Sequence, residues 1–328
     1  MSSAPPEALE RLAQAADLAP AAPSKRMLII VNPYATTVSD RLRNLVVYAL
    51  QGRYEVEAAD TQGAGHATEL CREAAHEGYD VVVAFGGDGT VNEAANGLAG
   101  SPTPLTCLPG GATNVYAKLL GIPGEIVDAT EHLLRMADDW RPRMVDLGVV
   151  NDRLFTFSAG VGLDASVVER VERHPRLKAR LRAWYFASVA IGTFSRRYLF
   201  RPPRLEVSVG ETRYEGVTAV VQNADPYTYF GNRPVRAGEG ATLDSGTFAG
   251  VILDRANPLD APTIGWRLLA RNAALTRHRH IQGFSGANEV VVRSADDRPL
   301  PLQVDGDFVG EVAEARFSLR PRGLAVVS

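Results

Sequence analysis

The run Gly86-Gly87-Asp88-Gly89-Thr90 follows directly on the apolar stretch DVVVAF. Glycines at the end of a strand let backbone N–H groups approach a polyphosphate with no Cβ in the way. A helix starting there adds the anion-favouring end of its dipole. Asp88 stands where a carboxylate would bind or orient a nucleotide's magnesium, or hold the loop, and Thr90 offers a hydroxyl. Two more loops end strands of the same kind: Asn32-Pro33 after MLIIV, and Pro109-Gly110-Gly111-Ala112-Thr113-Asn114 after TPLTCL. Each alone reads as a strand-ending turn. Three on neighbouring strands of one sheet make a phosphate cleft. Asp225 in QNADPY and Asp244 in TLDSG are weaker candidates: both suit turns, and Asp225 is at most an ion ligand.

Elements able to position such loops are legible on either side of them. MLIIV and DVVVAF are apolar without alternation, as expected of parallel strands covered on both faces. YEVEAAD is a further strand, and TPLTCLPGG is a strand running into its loop. Helical patterns fall at Ser39 to Gln51, HATELCREAAHEGY, VNEAANGLAG and TNVYAKLLGIP. This alternation predicts an N-terminal nucleotide-binding α/β domain with a mostly parallel sheet, over residues 27–143, with loops at the strand C-terminal ends forming the site. Residues 1–26 read as an Ala-rich helix and a Pro/Ala linker. From residue 144 the rhythm changes to short strands joined by turns. A second domain, 144–328, is therefore expected to be an antiparallel β-sandwich with helical stretches at 165–200 and 259–278.

The composition narrows the function classes. A net charge of −3 over 328 residues, with a sequence pI of about 6.1, disfavours a general nucleic-acid partner. Cys71 and Cys107 lie in core-like segments with no metal-ligand spacing, in keeping with a cytoplasmic location. No stretch is long and apolar enough to span a membrane. The stretch His174 to Arg201 interleaves arginines with Trp184, Tyr185 and Phe186. That suits an anionic membrane surface, or equally a helix packed on the second domain with its arginines solvated. A monomer and a homodimer are both compatible with the sequence.

IIVNP, FGGDGTVNE, LPGGATN, FSAGVGLDASV and QVDGD together resemble the diacylglycerol kinase catalytic-domain family, which includes soluble bacterial lipid kinases and the sphingosine and ceramide kinases. The resemblance runs over roughly residues 27–328. It implies an ATP- and Mg2+-dependent kinase that phosphorylates a lipid hydroxyl, with diacylglycerol the default acceptor, on a protein peripherally associated with a membrane. It implies ATP contacts from Asn32, Pro33, Thr61, Gly86, Gly87, Asp88, Gly89, Thr90, Asn92, Gly111, Thr113 and Asn114. It also implies a site role for Asp164, which would equally serve as the N-cap of a following helix. The family's late Asp-Gly-Glu, which supplies the catalytic base, becomes Asp305-Gly306-Asp307 here. Either carboxylate could take the hydroxyl proton, whereas Asp-Gly read alone is a hairpin turn. Two other departures are Tyr34-Ala35-Thr36-Thr37 after Asn32-Pro33, and Ala112 and Val115 where the family has a hydroxyl and an acid. An NAD kinase-like enzyme shares the GGDGT loop, and a catalytically weak nucleotide- or lipid-binding regulator would tolerate Ala112 and Val115. Both stand as alternatives.

Overall fold

The computed structural model describes residues 25–162, 165, 203–231, 233–257, 259–270 and 273–328. The N-terminal extension up to residue 24, Asp164 and the aromatic, arginine-rich stretch from His174 to Arg201 lie outside the described residues. The chain divides into two compact units, Met1–Val145 with Arg322–Ser328, and Asp146–Pro321.

In the first unit, β1 (Lys25–Val31), β2 (Tyr54–Asp60), β3 (Val81–Gly86) and β4 (Leu105–Pro109) pair in the order β2-β1-β3-β4, all parallel. The apolar runs behave as two-sided burial requires. Met27, Ile29, Ile30, Val31 and every residue of VVVAF are fully buried. Removing such a side chain from water stabilises by about 1.5–3 kcal/mol. The helices are α1 (Asp40–Leu50), α2 (His66–Glu77), α3 (Asp88–Leu98), α4 (Val115–Leu119) and α5 (Ile126–Met136). Ser39 starts α1 from an extended conformation, accepting the Leu42 N–H at 3.3 Å. Gly78, at φ +71°, ends α2 in the left-handed conformation that costs a side chain most.

Two features differ from the sequence reading. The helix after the GGDGT strand begins at Asp88, so Asp88, Gly89 and Thr90 form its first turn rather than a free loop. A helix also fills Ile126–Met136, burying Ala129, Leu133 and Leu134 on one side.

The second unit is a sandwich. Its strands are β5 (Arg143–Val150), which crosses the unit boundary, β6 (Arg153–Phe155), β7 (Ser158–Gly162), β8 (Leu205–Val209), β9 (Thr212–Gly216), β10 (Thr218–Gln222), β11 (Thr228–Phe230) and β12 (Arg233–Val235). They continue with β13 (Phe248–Leu253), β14 (Ile281–Ala287), β15 (Glu289–Ser294), β16 (Leu300–Val304), β17 (Asp307–Val312) and β18 (Glu314–Val326). One antiparallel sheet runs β14-β13-β10-β7-β16-β17, and β18-β15-β8-β9 forms another. Side chains of both sheets meet in one core. Val161, Val221, Phe248, Ile252 and Leu302 from one face Val207, Val290, Val292 and Phe317 from the other. Phe155 stacks on Phe248 at 5.8 Å between ring centres and meets Phe317 edge-on at 6.2 Å. The end of β18 belongs to the first unit, where Val326 pairs with Leu105 of β4. A helix, α6 (Ala261–Leu269), and a short 3-10 turn at Leu275–Arg277 occupy the stretch expected to be helical at 259–278.

Candidate active site

Parallel pairing in the first unit brings the ends of β1, β2, β3 and β4 to one edge of the sheet, and the predicted phosphate residues follow them. Asn32 follows β1, Thr61 follows β2, Gly86-Gly87 close β3, and Gly110-Gly111 follow β4. The two glycine pairs lie back to back. A Cβ built on Gly110 would come 2.9 Å from the Gly86 Cα, and one on Gly111 would come 2.7 Å from the Gly87 Cα. Real carbon atoms do not approach so closely, so both positions need glycine for space alone. Gly110 also donates its N–H to the Gly86 carbonyl at 2.8 Å.

Above this pair stands the N-terminus of α3. Its N-cap is Gly87, which has no side chain to satisfy the first-turn N–H groups. Uncapped N–H groups, the positive end of an eleven-residue helix and two bare glycine turns suit an anion's oxygens. The surrounding side chains hold this arrangement. Asn32 donates from Nδ2 to the Thr90 hydroxyl at 3.0 Å, while its Oδ1 accepts the Tyr34 N–H. Thr37 donates both its N–H and its hydroxyl to the Gly110 carbonyl, at 3.1 and 2.9 Å. Tyr34-Ala35-Thr36-Thr37, divergent in sequence, thus still serves to fix the glycine loop. Asn114, left-handed at φ +50°, closes on Gly111 through both side-chain atoms, accepting its N–H at 2.8 Å and donating to its carbonyl at 2.9 Å. Asp88 accepts the Tyr116 N–H at 3.0 Å, tying the start of α3 to α4.

Thr61 is buried, its N–H bonded to the Val31 carbonyl. Asn92 faces along α3 toward Asn96, whose amide donates to its carbonyl and its side chain. Pro33 is exposed and Thr113 half-buried.

Two side chains of this region went unread in the sequence. Glu93 accepts the N–H groups of Gly65 at 2.9 Å and Ala67 at 3.2 Å, replacing the cap that Gly65 cannot give α2. Lys118 sits in the field of Asp88. Burial pushes its ammonium pKa down, and the Asp88 carboxylate opposes that push. The signal for Lys118 was its spacing on α4, two residues beyond the Tyr116 amide that Asp88 holds.

In the second unit, Asp305 and Gly306 are the two turn residues of the β16–β17 hairpin, both left-handed at φ +49° and +88°. The hairpin reading therefore holds, but the two carboxylates differ. Asp305 is only 3% exposed, and its oxygens accept the Thr156 N–H (2.7 Å), the Thr156 hydroxyl (2.8 Å), and the N–H groups of Phe157 (3.0 Å) and Ser158 (3.1 Å). Asp307 is exposed. Asn223 reinforces the 156–158 segment, donating from Nδ2 to the carbonyls of Asp146 and Thr156, both at 2.9 Å. Asp146, also buried, accepts the Gly246 N–H at 2.8 Å.

Asp225 precedes a cis proline and lies 3.4 Å from the Arg236 guanidinium. Burial raises its pKa above the ordinary carboxylate range, Arg236 works against that rise, and Glu239 adds to it. Among the described residues no group of three His, Cys, Asp or Glu is arranged to hold a metal. Asp244 accepts the Thr242 hydroxyl at 2.9 Å within its turn. No described helix is long and apolar enough to cross a membrane.

The parallel sheet, the glycine loops at its carboxyl edge and the uncapped helix start define the first unit as an α/β domain, and the second unit is an antiparallel β-sandwich. The diacylglycerol kinase catalytic domain model matches residues 26–148. A diacylglycerol kinase of Staphylococcus aureus (strain bovine RF122 / ET3-1) is 29% identical over 303 residues, covering 88% of each chain. One from strain JH9 is 28% identical over 301 residues with the same coverage. A crystal structure of a diacylglycerol kinase from Bacillus anthracis str. Sterne superposes with a TM-score of 0.67 at 19% identity, covering 94% of this chain and 98% of that one. Another from the same organism reaches a TM-score of 0.72 at 22% identity. Residues 26–148 thus match the diacylglycerol kinase catalytic domain, the chain is similar over most of its length to diacylglycerol kinases, and it is an enzyme of the lipid kinase class.

Proposed function

We propose that the enzyme transfers the γ-phosphoryl group of ATP to a lipid hydroxyl, with diacylglycerol the first acceptor to test, and that it works at the surface of a membrane as a peripheral, cytoplasmic protein. The observation that carries this reading is the back-to-back contact of Gly86-Gly87 with Gly110-Gly111 beneath the uncapped start of α3. That cradle has the shape and the donors for phosphate oxygens, so the residues present fit a nucleotide. When bound, the nucleotide's magnesium would neutralise charge on the transferring group.

The chain's own residues would divide the work. Backbone N–H groups of the α3 first turn bind and orient phosphate oxygens. Lys118 adds positive charge beside Asp88. Asp88 holds α4 through the Tyr116 N–H and would meet the nucleotide's cation. Asn32, Thr37 and Asn114 keep the loops in register. Thr61, Asn92 and Thr113 stand as further nucleotide contacts.

Of the two hairpin carboxylates, Asp307 is assigned as the base that accepts the hydroxyl proton. A base needs a lone pair directed at the proton it takes. Asp305 has its oxygens committed to four donors of residues 156–158 and serves to position the hairpin. The test is transfer of labelled γ-phosphate from Mg-ATP into a panel of lipids in mixed micelles, with NAD as a further acceptor. Labelled lipid from the wild type establishes the activity and its acceptor. Label in NAD alone, or bound nucleotide with no transfer to any acceptor, would overturn it.

A further inference from the structure

We propose that the outer face of α6, its lead-in turn and the β11–β12 hairpin form the surface by which the protein docks on an anionic lipid bilayer. The choice of a bilayer as partner rests on the lipid kinase reading; the surface itself rests on separate observations.

The first is where apolar side chains are left in water. Among the described residues of the second unit, the large hydrophobics that stand exposed are Phe230 (51%), Leu259 (83%) and Trp266 (62%). All three fall on α6, the turn before it, or the hairpin whose β12 strand packs against α6. Scattered exposed apolar residues are ordinary, but three on one packed pair of elements are a patch.

The second is the phase of the helix. Ile264 and Leu268 face inward, packing on the cluster of Val220, Ala237, Val251, Leu275 and Ile281. Trp266 lies midway between them in sequence, which at about 100° per residue puts it on the opposite side of the helix. No inward contact explains a tryptophan there. Indole at a lipid headgroup boundary has both an apolar body and a donor to satisfy.

The third is charge. Among the described residues from Arg255 to His280 stand Arg255, Arg267, Arg277 and Arg279 against a single carboxylate, Asp260. Asp260 is buried and bonded by Arg279 at 2.9 Å, so it does not offset the outer surface. Arg255 and Arg277 are exposed. The molecule as a whole is negative, at −3, which makes this concentration local. Basic residues flanking exposed Trp, Leu and Phe match an anionic headgroup layer over an apolar interior. A second copy of the chain fits less well, since a two-fold contact would set this arginine-rich face against itself.

The experiment is co-sedimentation of the full chain with vesicles of phosphatidylcholine alone or with phosphatidylglycerol. It compares the wild type, the double variant Leu259→Ser/Trp266→Ser, and the double variant Arg255→Glu/Arg277→Glu. None of these residues belongs to the phosphate cradle or to the β16–β17 hairpin. The expected result is wild-type partitioning that depends on phosphatidylglycerol and falls about tenfold or more in each variant. Thermal melting and turnover of a short-chain, water-dispersed acceptor should stay unchanged. Equal partitioning of wild type and variants overturns the proposal. So does a wild-type dimer, seen by sedimentation velocity, that the apolar variant dissociates without altering vesicle binding; the face would then be a self-contact. Failure to phosphorylate any lipid would overturn the kinase reading alone, and the partition ratio would still decide the surface.

Discussion

Asp305 and Thr156, far apart in sequence, are joined twice: one Asp305 oxygen accepts both the Thr156 N–H at 2.7 Å and the Thr156 hydroxyl at 2.8 Å. With the Phe157 and Ser158 N–H groups on the other oxygen, one buried carboxylate binds the segment leading into β7 to the β16–β17 turn. Two residues on, Asp307 begins β17 in solvent. The hairpin thus holds one buried carboxylate, Asp305, and one solvent-exposed carboxylate, Asp307.

Exchanging each carboxylate for its amide should separate the two roles. Asp305→Asn replaces an acceptor oxygen by an NH2 group facing N–H donors, and should lower stability by about 2–4 kcal/mol in urea unfolding. Asp307→Asn should leave the unfolding midpoint within error of the wild type. It should lower kcat for lipid phosphorylation by roughly 10²–10⁴-fold, with nucleotide affinity unchanged. Equal kcat in Asp307→Asn and wild type would remove it as the base.

The glycine contact gives a prediction about binding. Gly111→Ala places a methyl 2.7 Å from the Gly87 Cα, and only movement of one backbone loop relieves it. The first-turn N–H groups of α3 then lose their setting. ATP affinity, read by calorimetry, should fall about tenfold or more, a difference of roughly 1.4 kcal/mol. Gly63→Ala, where an added Cβ meets nothing within 4 Å, is the control and should bind normally.

How much of this was legible beforehand differs by element. The parallel sheet and its loops could be read because unbroken apolar runs ending in glycine have few other uses. The β16–β17 turn was readable from Asp305-Gly306 alone. Its division of labour was not, because burial of Asp305 depends on residues 156–158, and no local pattern reports that pairing. The helix Ile126–Met136 was in the sequence, with Ala129, Leu133 and Leu134 at helical spacing, and went unread. The return of Arg322–Ser328 to the first unit is a contact over more than two hundred residues and leaves no local trace. In the sequence alone, Asp88 reads as a loop residue. Its place in the first turn of α3 follows from Gly87 acting as the cap, which glycine does without a side-chain signature.

Glu93 supplies a test of how the cradle is supported. Its carboxylate caps α2 at Gly65 and Ala67 from the neighbouring helix. Glu93→Ala should cost about 1–2 kcal/mol in unfolding experiments. Glu93→Gln, keeping one acceptor oxygen, should recover roughly half of that loss. Because the Glu93 carboxylate accepts from Gly65 and Ala67 at the start of α2, ATP affinity should change less than in Gly111→Ala.

Asp225 sets a pH dependence whose sign follows from its environment. Burial is the largest influence on it and raises its pKa, ahead of the opposing Arg236 and the reinforcing Glu239. The folded state therefore prefers the protonated form. Below the unfolded carboxylate pKa both states are protonated, and the stability that the protonated carboxyl contributes is fully present. As pH rises through the raised folded pKa, the native state must hold a charge it disfavours, and the stability gained from the proton is lost. Asp225→Asn, which mimics the protonated form, should unfold like the wild type at low pH. It should become progressively more stable than the wild type as pH climbs past the ordinary carboxylate range, levelling off above it. Melting temperatures of both proteins across that range check the sign directly. A wild type that gains on the variant with rising pH would mean that the Arg236 pair, and not burial, governs the residue.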